Sequence, residues 1–163
     1  MGYYDHEFET SGYFSDIKCF PQYLENHKIL SNNYWLPIKI KTIYIETLQA
    51  FKANSLILAG AGFRAVIEAI CLEEDIKGRN LEIKINNLLK EKLITAKECN
   101  RLHSVRFIGN DSIHEMLVPE RKKLYAVLNI VENLLNNLYL IDHDSSSILE
   151  TVISGYNEFE ELI

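Results

Sequence analysis

The sequence predicts an all-α domain, a bundle of about five to six helices. Apolar residues recur three and four positions apart along most of the chain, the spacing of one helix face. Only three prolines and seven glycines punctuate 163 residues. Helix-start signals stand at the heads of the periodic stretches. A hydrophobic share of 47% against 25% charged residues is that of a folded chain, and the length suits one domain.

Residues 1–35 lack helical periodicity and are rich in aromatics, among them Tyr3, Tyr4, Phe8, Tyr13, Phe14, Phe20, Tyr23, Tyr34 and Trp35. They are expected to form an irregular arm that packs on the bundle, in preference to a partner-binding arm. The bundle itself is expected over 36–163. The first helix opens at Leu36-Pro37, with proline at the first helical position, and carries the stripe Ile40, Ile43, Tyr44, Thr47, Leu48, Phe51. Asn54-Ser55 breaks it and can cap the next helix. The second runs from about Leu56 to Glu74 and buries Leu56, Ala59, Phe63, Val66, Ile67, Ile70 and Cys71. Inside it, Ala59-Gly60-Ala61-Gly62 is costly for helix formation. It suits close approach of another helix, from within the chain in preference to a second subunit.

After a turn at Gly78-Arg79-Asn80, Asn80 caps a short third helix with Leu81, Ile85, Leu88 and Leu89. Thr95 and Glu98 make a capping box for the fourth. Gly109-Asn110 predicts its end, which leaves His114 in a polar loop. Pro119 opens a fifth helix with an unbroken stripe from Leu124 to Leu138. Ser147 and Glu150 make a second capping box, which predicts a last helix over Ile148–Glu160.

Several classes of function are excluded or disfavoured. A net charge of −6 is not that of a general polyanion binder. Cys19, Cys71 and Cys99 form no close pair, so neither a disulfide framework nor a structural zinc is expected, and no cofactor is implied. The polar, acidic start MGYYDHEFET is unlike a secretory signal, and no apolar run reaches membrane-spanning length. A cytoplasmic location without membrane contact is therefore expected. The phosphate-loop, HExxH and GxSxG motifs are missing.

The stretch from Arg106 to His114 holds the candidate chemistry. Arg106 falls on the same helix face as Cys99 and Leu102. An inward guanidinium needs a partner, and Glu68 on the second helix, one turn beyond Arg64, is the expected one. The alternative is a fixed donor for a phosphate oxygen. His114, near Asn110, is a candidate general acid or base, and His103 lies one turn before Arg106. Arg106, His114 and Asn110 would then be catalytic. Arg64, Glu68 and His103 would bind or support. The plain reading of the same residues is a structural ion-pair network.

The order of these elements resembles a known family. The residues that carry the resemblance are Leu36-Pro37, Tyr44-x-Glu46, Gly62-Phe-Arg64-Ala-Val-Ile-Glu68-Ala-Ile, Lys77-Gly-x-Asn80-Leu, Lys84-Ile, Leu93-Ile-Thr95, Leu102-His-x-Val-Arg106 and Gly109-Asn110-x-x-x-His114. Together they resemble the prokaryotic domain-of-unknown-function family 4145, grouped with the HEPN superfamily of helical domains. The resemblance implies a HEPN-like bundle that forms a homodimer. In HEPN ribonucleases an Arg and a His line a cleft between subunits, and those would be Arg106 and His114 here. It also implies a setting in prokaryotic defence and an RNA or protein partner. Seven residues separate Arg106 from His114, more than in the HEPN pattern, and Phe107 stands where active members carry a polar residue. A non-catalytic dimerisation and binding module therefore ranks ahead of a metal-independent endoribonuclease, and whether the chain is an enzyme is left open.

Overall fold

The computed structural model describes Leu30 and residues 33–141. The expected arm over 1–35 and the last helix over 148–160 fall almost wholly outside the described residues. Within them the periodic stretches become α1 (Ile38–Lys52), α2 (Leu56–Glu73), α3 (Leu81–Lys90), α4 (Ala96–His114) and α5 (Arg121–Leu135). A 3-10 turn, Asn33–Trp35, precedes α1, and a π-helical turn, Asn136–Leu140, continues α5. No strand occurs among the described residues. The all-α bundle is therefore shown.

The starts follow the expected chemistry. The Asn80 side chain accepts from the Ile83 amide at 2.9 Å. Thr95 and Glu98 form the reciprocal capping box, with the Glu98 carboxylate accepting from the Thr95 amide at 2.7 Å. The Thr95 amide and hydroxyl hold the Glu98 carboxyl below its usual range. Ser55, by contrast, makes no side-chain cap.

Three ends share one device. After α1, α2 and α3 the chain turns left-handed at Asn54 (φ 60°), Asp75 (φ 52°) and Lys92 (φ 60°). In each, the next amide reaches back five residues: Ser55 to Ala50, Ile76 to Cys71, Leu93 to Leu88. These paired turns satisfy carbonyls that the helix leaves open. Arg121 closes the end of α1 as well. Its Nη1 donates to the Phe51 carbonyl at 3.2 Å and to Asn54 Oδ1 at 2.9 Å, with the guanidinium over the Phe51 ring. A cation there also suits the negative end of the helix dipole.

The second helix is the hub. It packs against α1, α3, α4 and α5. Ala59, Phe63, Val66, Ile67, Ile70 and Cys71 are buried, as the stripe predicts, while Leu56 is only partly so. The small residues of α2 serve internal contacts. A side chain at Gly62 would collide with Thr47 of α1, and one at Gly60 with Ser112 of α4. The buried Tyr44 of α1 donates a short hydrogen bond to Glu132 of α5. Burial, together with that carboxylate, pushes the Tyr44 phenol well above its ordinary range.

Boundaries differ from expectation at three places. Pro37 is the N-cap of α1 and not its first helical residue, and α5 begins at Arg121, two residues after Pro119. The fourth helix does not stop at Gly109-Asn110; it continues to His114. Gly109 is buried there because it is a contact and not a stop. A Cβ on it would lie 2.5 Å from Arg64 Cβ and 3.1 Å from the Gly60 carbonyl. Close approach to α2 needs glycine at this place, and the helical backbone tolerates it. The left-handed turn comes later, at Met116 (φ 51°).

Two stability changes follow. Gly109→Ala gains about 1 kcal/mol of helix propensity but overpacks a rigid contact, which costs about 1–3 kcal/mol. A net loss of up to about 2 kcal/mol is expected in urea unfolding, and a raised midpoint would remove the close-packing explanation. Lys92→Gly acts in the other direction. It relieves a left-handed lysine at an exposed position and should stabilise the fold by about 0.5–1 kcal/mol, read by thermal unfolding.

Candidate functional site on the flank of α4

Because α4 is one unbroken helix, its candidates are set by helical geometry. His103, Arg106, Phe107, Asn110 and His114 occupy one flank, between the buried face and solvent. Eight residues of helix place His114 about 12 Å along the axis from Arg106 and about 80° around it. His114 is exposed at the last helical position, not in a loop.

Arg106 is mostly buried, its side chain 14% exposed, but its partner is not Glu68. Its Nη1 lies 3.3 Å from Glu82 Oε2 on α3, and its guanidinium carbon sits 4.3 Å from the Phe107 ring centre. The expected Arg106–Glu68 pair fails because α4 turns this arginine toward α3. Glu68 is taken by nearer cations instead. Arg64, one turn earlier on α2, lies 3.3 Å away, and Lys84 of α3 lies 2.8 Å away. Arg64 in turn donates from Nε to Asn110 Oδ1 at 2.9 Å, made reachable by Gly109.

The site is therefore two linked polar sets. Asn110, Arg64, Glu68 and Lys84 tie α4 to α2 and α3. His103, Asn86, Arg106 and Glu82 tie α4 to α3, with His103 Nε2 at 3.1 Å from Asn86 Oδ1. Two buried nitrogens, His103 Nδ1 and Arg106 Nε, have no partner among the described residues. With Asn86 Oδ1 as acceptor, His103 carries its proton on Nε2 and leaves Nδ1 bare. Burial first, and then the Arg106 charge, hold the His103 imidazole below its ordinary pKa, with Glu82 opposing. A neutral imidazole next to a fixed guanidinium suits a supporting role better than proton transfer.

Sequence reasoning placed Arg64, Glu68, His103, Arg106 and Asn110 near one another, and the structure brings all five into these two sets. His114 stays outside them. It missed Glu82 and Asn86 of α3 as partners. The available signal was that Glu82 and Asn86, four apart, share one face of α3, as His103 and Arg106, three apart, share one face of α4. Among the described residues no group of three or more His, Cys, Asp or Glu is placed to hold a metal ion. No described helix is long and apolar enough to cross a membrane.

The pH dependence has a definite sign. A histidine held below its ordinary value of 6.5 binds fewer protons folded than unfolded in mild acid. Its contribution to stability is complete above that value and fades as pH falls through it toward the folded pKa. An NMR titration should place the His103 imidazole below 6.5, and Arg106→Gln should raise it. A His103 pKa that stays put in that variant would contradict the charge contact.

Residues 45–154, more than half of the chain, match the family model described as Domain of unknown function (DUF4145). The match includes every candidate from Arg64 to His114. None of the curated proteins and none of the solved structures matches the chain.

Proposed function

The chain belongs to the family described as Domain of unknown function (DUF4145), and on that premise we propose that it is a HEPN-like dimerisation and binding module. The observation that carries this reading is apolar exposure beside the polar flank. Phe107 is 55% exposed on α4, and Met116, Leu117 and Val118, directly after it, are each more than half exposed. Met116, Leu117 and Val118 are consecutive exposed apolar side chains, and a display of this kind marks an interaction surface. The occupant is a second copy of the chain, as the HEPN resemblance implies, and an RNA or protein partner would be held by the assembled surface. A cytoplasmic setting linked to prokaryotic defence belongs to the same reading.

Catalysis by Arg106 and His114 is the second reading, favoured by their shared flank and the free exposure of His114. Within one chain it meets two obstacles. Glu82 and the Phe107 ring already engage the Arg106 guanidinium. The two residues also stand about 12 Å apart along one helix axis, so only extended side chains aimed toward each other reach a common phosphate.

Sedimentation of the full chain at micromolar concentration should show a dimer, and the double variant Phe107→Glu, Leu117→Glu should be monomeric with unchanged helicity. A monomeric wild-type chain would end the dimer reading. If single-stranded RNA binds, Arg106→Ala should reduce the salt dependence by about one phosphate contact. RNA cleavage in the presence of a chelator, lost in both Arg106→Ala and His114→Ala, would instead establish the ribonuclease.

A further inference from the structure

A groove of about 580 Å³ opens between α1, α2 and the start of α3. Its walls are Ile38, Thr42, Ile43, Ala65, Ala69 and Leu72, with Lys39, Glu68 and Lys84 as its charged groups. Ile38 and Leu72 are 74% and 66% exposed, a costly display of two large apolar side chains so close together. The charge there is unbalanced. Glu68 is shared by Arg64 and Lys84, and Lys39 has no carboxylate partner among the described residues, so positive charge is in excess. The groove calls for an occupant that is apolar and acidic.

The chain carries such a segment. Residues 1–16 contain five aromatics, Tyr3, Tyr4, Phe8, Tyr13 and Phe14, and four carboxylates, Asp5, Glu7, Glu9 and Asp16, with no lysine or arginine. The segment lies outside the described residues, but its point of attachment does not. Leu30 packs on the core, and the chain passes through Asn33–Trp35 to Ile38, itself the first wall residue of the groove. The stretch between Asp16 and Leu30 spans up to about 45 Å when extended, longer than α2 at about 27 Å. Tethering at this distance gives an effective concentration on the order of millimolar, so a modest contact suffices.

We propose that the segment Tyr3–Phe14 occupies the groove between α1, α2 and α3 of its own chain. Its aromatic rings lie on Ile38, Ile43, Ala65 and Leu72, and its carboxylates face Lys39 and Lys84. The segment thus acts as an internal ligand that completes the apolar surface of α2. This goes beyond the α4 surface and holds whether or not that surface binds a second copy.

The groove itself has no aromatic wall residue, which makes the test clean. In the full chain with labelled isoleucine and leucine methyls, the methyls of Ile38, Ile43 and Leu72 should show NOEs to aromatic protons. These should vanish in the variant Tyr3→Ser, Tyr4→Ser, Phe8→Ser, Tyr13→Ser, Phe14→Ser, whose changes all lie outside the helical core. Leu72→Glu, at an exposed position, should abolish them too and raise proteolytic cleavage within residues 1–16 at least tenfold. Isotope-filtered spectra of a mixed labelled and unlabelled sample separate the occupants. Aromatic contacts that appear across molecules would assign the groove to a second copy and overturn the proposal. Groove methyls with no aromatic contact at all, or contacts that survive the five-residue variant, would overturn it as well.

Discussion

Close approach at α2 is the constraint on which the rest of this structure depends. The helix is apolar around most of its circumference, so it must be covered by several neighbours at once. Bare backbone at Gly62 admits α1, and bare backbone at Gly60 and at the facing Gly109 admits α4, near enough to do so. Each glycine weakens its own helix by about 1 kcal/mol, a cost that close packing offsets. The same approach distance brings the Arg64 side chain within reach of Asn110. The polar flank of α4 is thus a consequence of how the core packs.

That dependence shapes the chemistry. Glu68, Arg64 and Lys84 form one linked set, and Arg106 with Glu82 another. The first reaches α4 through Asn110 and the second through Arg106 itself, and both leave their cations engaged. A fixed, partly buried guanidinium is costly to leave unpaired, so a ligand that takes Arg106 from Glu82 must offer an anion at least as good. Phe107, stacked beside Arg106 and turned outward, adds an apolar contact where a polar group would suit hydrolysis.

Two surfaces of α2 answer the same need in different ways. Toward α4, small residues admit another helix. Toward the α1–α3 groove, larger side chains such as Leu72 and Ile38 stay open, with an excess of positive charge at the rim. An acidic, aromatic segment at the start of the same chain matches that surface in both respects.

Much of the fold was legible in the residues. Periodicity gave the buried stripes of α1, α2 and α5, and the caps at Asn80 and Thr95 marked two helix starts, because these depend on neighbours within one or two turns. The end of α4 was not legible. Glycine followed by asparagine reads as a stop in isolation, and only the contact with Arg64 and Gly60 turns Gly109 into a packing residue. The partner of Arg106 was equally hidden. The sequence by itself determined that an inward arginine on this helix needs a carboxylate. Only the tertiary structure decided that it is Glu82, since the choice depends on how α4 is rotated against α2 and α3, and that rotation is set by packing across the whole core.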